Sequence, residues 1–306
     1  MKKRPAKDVA ASVRQRLLNV AKTANRPFQE VLQYYAMERF LYRLAKSSHA
    51  EKFVLKGALM FTAWGAPGTR PTKDIDFLAK TENTIAAVVP LIQSVCGVSV
   101  EPDGLVFDAA TVEGRVIKED ADYEGIRVTF IGKLQNARVS MQLDLGYGDV
   151  IVPGATQIEY PTVLDLPAPV LRVYSRETVV AEKFEAMVKL GELNSRMKDF
   201  FDVWLLSRQF DFDGQTLATA IGKTFANRQT ALPEEVLAFT PGFASNAVKQ
   251  TQWKAFLKKS RLETAPAALQ TVVEVIAGFL EPVAAAVRGT RAFPQTWKAP
   301  GPWTDS

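Results

Sequence analysis

The sequence predicts an α+β protein: a mixed sheet with helices, preceded by N-terminal helices and followed by a C-terminal helical domain. Three observations predict it. Residues 8–46 carry apolar side chains at helical spacing, with Val9, Val13, Leu17 and Val20 on one face. Residues 53–160 break into short apolar or alternating stretches of strand character around a single helical one. From Arg176 onward the apolar spacing is helical again. The expected divisions are a helical brace over residues 1–50, a sheet-bearing core over 51–165 and a helical domain over 166–306.

In order along the chain, a first helix is followed by Asn25-Arg26-Pro27, and Pro27 opens a second through Val31, Leu32, Tyr35, Phe40 and Leu44. His49 falls in the polar stretch Ser47-Ser48-His49-Ala50; as the only histidine it is a possible base, but its setting reads as a solvated loop. Phe53-Val54-Leu55-Lys56 reads as a strand that stops at Gly57 and continues into a helix with Leu59, Met60, Phe61 and Trp64. A helix is expected over 84–95 and strands over 105–107, 111–117, 125–133 and 137–145. In the last of these, Val139, Met141, Leu143 and Leu145 share one face while Gln142 and Asp144 share the other. Pro167 and Pro169 mark a linker to an extended Val170–Ser175, and Ser175 can cap a helix ending near Gly191. Further helical segments are expected over 196–206, 217–225, 233–239, 253–262 and 265–287, then an extended tail from Arg291.

The chain has 306 residues, 47% of them hydrophobic, enough to bury a large core. A net charge of +5 favours an anionic partner without approaching a histone-like excess. Cys96 is the only cysteine, which excludes disulfides and cysteine-rich zinc sites and suits a reducing compartment. Met1-Lys2-Lys3-Arg4-Pro5 is basic, but no apolar signal core follows it, and no apolar run of spanning length is expected. The chain is therefore expected to be soluble and cytoplasmic, with no membrane partner.

The chemistry concentrates in Arg70-Pro71-Thr72-Lys73-Asp74-Ile75-Asp76-Phe77-Leu78. Period two puts Asp74 and Asp76 on one side of a strand, where two like charges repel and a cation between them resolves the repulsion. Mg²⁺ takes oxygen ligands and commonly binds through one or two carboxylates plus substrate phosphates. The Lys56-Gly57 turn offers backbone N–H groups at a helix start, which suits phosphate. Taken alone, an Asp-x-Asp strand is more often a solvated face than a metal site. The glycine turn upstream and the basic loop between them favour nucleotidyl transfer.

These stretches resemble the polymerase-β-like nucleotidyltransferase superfamily. More closely, Phe-Val-Leu-Lys-Gly-Ala followed by Arg-Pro-Thr-Lys-Asp-Ile-Asp-Phe-Leu is similar to the AbiEii/AbiGii toxin family of stand-alone nucleotidyltransferases. So are Ala181-Glu182-Lys183-Phe184-Glu185-Ala186-Met187 and Asn194-Ser195-Arg196-Met197-Lys198-Asp199-Phe200-Phe201-Asp202. Without that resemblance the last two read as solvated faces of amphipathic helices.

The resemblance implies a polymerase-β-like core with Lys56 and Gly57 beside the triphosphate and Asp74 and Asp76 holding Mg²⁺. Asp144 would be the third acid, a metal ligand beside that pair, with Asp149 the weaker candidate for that place. Lys183 and Arg70 would contact phosphates, and Asp199 and Asp202 would orient cations. The chain has Ala58 where many members carry a serine, so a hydroxyl contact to phosphate is missing and Thr72 is the substitute. The implied activity is transfer of a nucleoside monophosphate from an NTP to an RNA acceptor, the tRNA 3′ end, with Asp144 or one of Asp199 and Asp202 taking the hydroxyl proton. A separately encoded antitoxin and a role in phage defence belong to the same implication. A basic helix around Lys254, Lys258, Lys259 and Arg261 would contact the nucleic-acid backbone or be a solvated face. Two alternatives stand beside this: the same chemistry on a protein or small molecule, and a nucleotide-binding regulator without catalysis. Lys183 is expected to serve chemistry more than folding, because Phe184, Met187 and Val188 supply the packing of its helix.

Overall fold

The computed structural model describes residues 6–120 and 123–305. The chain divides into two compact units: residues 1–65, 71–148 and 156–173 form the first, and residues 66–70, 149–155 and 174–306 the second.

In the first unit, helices α1 (Ala6–Thr23) and α2 (Phe28–Lys46) lead to β1 (Phe53–Lys56), α3 (Leu59–Ala63), β2 (Asp74–Ala79) and α4 (Ile85–Cys96). Strands β3 (Leu105–Asp120), β4 (Tyr123–Leu134), β5 (Ala137–Gly146), β6 (Thr156–Glu159) and β7 (Val170–Val173) follow. Among the described residues these strands form one mixed sheet in the order β3-β4-β5-β2-β1-β7-β6. β2 runs parallel to β5 and antiparallel to β1. Leu55, Phe77, Leu145 and Ile126 stand opposite one another across four strands and are all buried. They share a core with Val13 and Leu17 of α1, Leu32, Tyr35 and Phe40 of α2, and Val88 and Ile92 of α4. One face of the sheet is therefore apolar and helix-covered, and the other carries the charged residues.

Buried charge holds the connections of this unit. Arg43 of α2 pairs with Asp103 at 2.7 Å and donates to the Leu105 carbonyl. Glu38 pairs with Arg39 at 2.6 Å, accepts from the Val163 N–H, and Arg39 reaches the Pro167 carbonyl. The expected break between two strands at 107–111 is a register shift within one strand, β3, between Asp108 and Glu113. There Thr111 Oγ1 donates to the Asp108 carbonyl and accepts from the Ile131 N–H.

In the second unit, α5 (Arg176–Leu190) starts at Ser175, whose hydroxyl accepts from the Thr178 N–H as expected. Helix α6 (Met197–Gln209), strand β8 (Phe212–Asp213) and helices α7 (Gly214–Asn227), α8 (Pro241–Ser245), α9 (Ala247–Ser260) and α10 (Leu269–Arg288) follow. Strands β9 (Gln295–Trp297) and β10 (Trp303–Asp305) complete a three-stranded sheet with β8. The tail is thus docked. Trp297 Nε1 donates to the Ser207 carbonyl and Trp303 Nε1 to the Phe279 carbonyl. The helix expected over 233–239 reduces to a 3₁₀ turn at Leu237–Phe239. Thr240, ahead of Pro241, is extended and ends the turn.

The expectation about apolar runs is also corrected, since α10 is long and apolar enough by composition to cross a membrane. Here Val272, Val273, Ile276, Phe279, Leu280 and Val283 are buried within the unit, so its hydrophobicity is that of a core helix. Phe279 lies at its centre, with ring centroids 5.1 Å from Phe212, 4.9 Å from Trp297 and 5.7 Å from Trp303. Phe279→Ala should cost about 3–5 kcal/mol of stability. Leu237→Ala, at a 48%-exposed position, should stay within about 0.5 kcal/mol. Denaturant melts of both variants check the contrast.

Candidate functional site

β1 ends at Lys56, and Gly57 turns the chain at φ +73. A Cβ at Gly57 would collide with the Asp76 carboxylate, so glycine is required both by the backbone angle and by the close approach. The expected helix after the turn is only the five-residue α3, too short for a useful macrodipole, so any anion bound there would rely on individual N–H groups.

Register builds the rest. Lys56 stands opposite Asp76, Asp76 opposite Asp144, and Asp144 opposite Arg127. Directly opposed residues project to the same face, so one row crosses β1, β2, β5 and β4 with a cation at each end and two carboxylates between. Asp74 occupies the next row, opposite Gln142, which is itself opposite Thr129. Asp74 and Asp76 are both half-buried on this face.

Asp144 is held on both oxygens by Arg127, Nε to Oδ1 and Nη2 to Oδ2 at 2.7 Å each, and Gln142 Nε2 lies 3.3 Å from both. The hydrogen bond to Asp144 holds the Arg127 guanidinium above its ordinary pKa against the effect of burial, with charge from Asp74 and Asp76 adding to it. Nothing local marks Arg127 in the chain, because its significance depends on the pairing of β4 with β5. The Thr72 hydroxyl lies 3.4 Å from both the backbone N and O of Asp74, where it shapes the entry to β2. Asp149 lies beyond β5, in the second unit, and pairs with Arg228 at 2.8 Å, which removes it as a candidate acid on this face.

Among the described residues, no three His, Cys, Asp or Glu side chains group as an all-protein metal cage. Two neighbouring carboxylates with only oxygen donors nevertheless fit Mg²⁺, which leaves part of its shell to water and phosphate.

The second unit holds the other predicted residues. Lys183 of α5 reaches Asp199 Oδ1 at 2.7 Å and Asp202 Oδ2 at 2.8 Å, both on α6. Arg70 grips Asp202 through Nε and Nη2 at 3.0 Å each, and Arg196 Nε lies 2.6 Å from Asp199 Oδ2. The two carboxylates are fully buried, with side-chain exposures of 0% and 1%. Lys183, Arg70 and Arg196 thus surround the two carboxylates with positive charge. Burial disfavours charge on Asp199, but Lys183, Arg196 and Lys198 outweigh it and hold the carboxyl well below its usual range. Burial likewise pulls Lys183 down, and Asp199 and Asp202 overcome it to leave its pKa raised.

The solvated reading of these helix faces is therefore corrected. Glu185 is also buried, bonded to Arg228 at 2.9 Å and to the Thr230 hydroxyl. His49 is half-buried, and its Nδ1 is out of water with no hydrogen-bond partner among the described residues, unlike the solvated residue expected.

The family description Nucleotidyl transferase AbiEii toxin, Type IV TA system, matches residues 39–275. The chain belongs to the AbiEii nucleotidyl transferase toxin family. Its two site-bearing stretches, at Lys56–Asp76 and Lys183–Asp202, both fall within the matched span. Two solved Helicobacter pylori structures are similar to it, one described as a candidate nucleotidyltransferase and the other as JHP933. Each is 15% identical with a TM-score of 0.47, covering 86% of this chain and 96% or 97% of the other. No curated protein matches the chain.

Against the expectation that Lys183 serves chemistry more than folding, its place between two buried carboxylates gives it a structural role. Lys183→Met leaves two buried carboxylates short of a partner and should cost about 3–5 kcal/mol. Adding Asp199→Asn should recover part of that loss, which a double-mutant cycle by thermal melting reads directly. The sign of the pH effect follows from the depressed Asp199 carboxyl. Its contribution is present above the unfolded value near about 3.9 and is lost as pH falls below it. The wild-type melting temperature should drop steeply below about pH 4, and Asp199→Asn should show a shallower acid limb.

Proposed function

We propose that this member of the family transfers a nucleoside monophosphate from a nucleoside triphosphate to a hydroxyl of RNA, the tRNA 3′ end, with Mg²⁺ held by Asp74 and Asp76. The observation that carries the reading is the close approach of the Gly57 turn to the Asp76 carboxylate. It sets a backbone able to receive phosphate against a carboxylate able to hold the cation that accompanies phosphate.

Asp74 and Asp76 would hold the dication, which would supply positive charge against the developing charge of the triphosphate. Lys56 and the Gly57 backbone hold the triphosphate. The pyrophosphate departs as the acceptor oxygen bonds to the α-phosphorus, and the family resemblance would assign Lys183 and Arg70 to neutralising it. The hydroxyl proton passes to a carboxylate or to water. Asp199 is held in its ionised form by Lys183, Arg196 and Lys198, which makes it a weak base. Rate therefore comes from positioning and charge more than from a strong general base.

Lys254, Lys258 and Lys259 are exposed on α9, and Arg261 follows as a left-handed cap. They form a basic surface that suits an RNA backbone. Modified tRNA would block translation in the cytoplasm, and a cognate antitoxin would hold the activity in check. A role in phage defence follows from the same economy of a toxin released on infection.

The test is incubation with each labelled NTP, total tRNA and Mg²⁺, with sequencing of the RNA ends. Added nucleotides that disappear with chelator support the reading; label in protein or in a small molecule instead overturns the RNA acceptor. Asp76→Asn should abolish transfer while the melting temperature stays level or rises, since one of two repelling carboxylates is neutralised. An active Asp76→Asn protein would remove the metal assignment. Replacing Lys254, Lys258 and Lys259 with Gln should weaken tRNA binding and reduce its salt slope by about one per lysine. NTP binding should be unchanged, and normal tRNA binding across the salt series would make α9 scaffold.

A further inference from the structure

The charged row has two cationic ends, and the proposed function uses only the Lys56 end. At the other end the row continues one strand further, because Arg127 of β4 stands directly opposite Arg115 of β3. Two like charges opposed on neighbouring strands repel, and a folded sheet that keeps them together needs an anion to offset the repulsion. Asp144 meets only part of that need.

Its carboxylate takes Nε and Nη2 of Arg127, which fixes the guanidinium plane and leaves Nη1 with no partner among the described residues. Arg115 is exposed and makes no ion pair to a described residue. The side chain of Arg127 is 27% exposed, so the unused donors are accessible. A planar fork held in place by a carboxylate, with a second guanidinium beside it, matches the oxygens of a phosphate diester.

Position decides which phosphate. Strands lie about 4.8 Å apart, which puts Arg127 about 10 Å and Arg115 about 14 Å across the sheet from Asp76, on the side away from Lys56 and Gly57. A triphosphate lying on the Gly57 turn runs the other way. An acceptor strand whose terminal hydroxyl approaches Asp76 from the free side places its last phosphates here.

We propose that Arg115 and Arg127 form the subsite for the terminal phosphodiesters of the acceptor strand, with Asp144 as the positioning residue that aims Arg127. This rests on the nucleotidyl-transfer reading and deepens it, because a paired guanidinium subsite selects an anionic strand over a neutral acceptor.

The experiment measures binding of 5′-labelled tRNA with a free 3′ hydroxyl over a salt series, alongside NTP binding in Mg²⁺. Arg115→Met combined with Arg127→Met should weaken tRNA binding about tenfold or more and reduce the salt slope by about two. NTP affinity should stay within about twofold of wild type, because Lys56 and Gly57 are untouched. A tRNA whose last linkages are neutral methylphosphonates should bind wild type as weakly as the double variant binds ordinary tRNA, and should bind the double variant no worse.

If loss of Arg127 unfolds the chain by stranding Asp144, Arg115→Met carries the test alone. Exposed and without an ion-pair partner, it should keep the melting temperature and lose about fivefold in tRNA affinity. Unchanged tRNA binding in a folded variant overturns the subsite. Equal loss of NTP binding also overturns it, by moving the arginines to the triphosphate. A wild-type chain that binds NTP yet extends no RNA overturns the proposed function, and the subsite with it.

Discussion

A shift of β2 by a single residue against β1 and β5 would turn Asp74 and Asp76 into the helix-covered core and bring Ile75 and Phe77 to the polar face. Nothing else in the first unit would survive that exchange. The row from Lys56 to Arg127 exists because four strands, two antiparallel pairings and one parallel, agree on register. The apolar face enforces that agreement, since Ile75, Phe77, Leu143, Leu145 and Val128 must all point under α2 and α4 at once. Gly57 adds a local lock, because any larger residue there would push β1 away from the Asp76 carboxylate.

The second unit solves a different problem. Its charged residues are taken out of water and made to satisfy one another, with Lys183 between Asp199 and Asp202 and Arg228 between Asp149 and Glu185. Such networks add little to stability over well-packed apolar side chains, yet they are expensive to break. They hold the Lys183 ammonium between two carboxylates. In this unit the residues expected to serve chemistry also hold the fold together.

Much of this was legible in the chain itself. The alternation in Asp74-Ile75-Asp76-Phe77 placed the two carboxylates on one face, and Ser175 before Arg176-Glu177-Thr178 located the start of α5. Partners distant in sequence were not. Glu182 and Glu185 look like ordinary surface residues until Arg228 arrives 43 positions beyond Glu185. Arg127 is one charge on an alternating strand until β4 is paired with β5. The docking of Trp297 and Trp303 on Phe279 was equally hidden, since a proline-rich tail carries no periodicity to say what it covers. Local pattern reports which face a side chain takes, and only the fold reports what waits there.

The register shift between Asp108 and Glu113 bears on how the chain behaves when crowded with copies of itself. β3 is sixteen residues long and lies at the edge of the sheet. An unbroken edge of that length, with Val106 and Val116 exposed along it, would offer a long template of unpaired N–H and C=O groups to any other strand. The shift divides the template into two shorter runs, and Thr111 turns its hydroxyl to the Ile131 N–H at the break. Asp108, Glu113 and Arg115 set charge on either side of it. The same irregularity that makes β3 look like two strands in the sequence thus guards the sheet against growing from chain to chain.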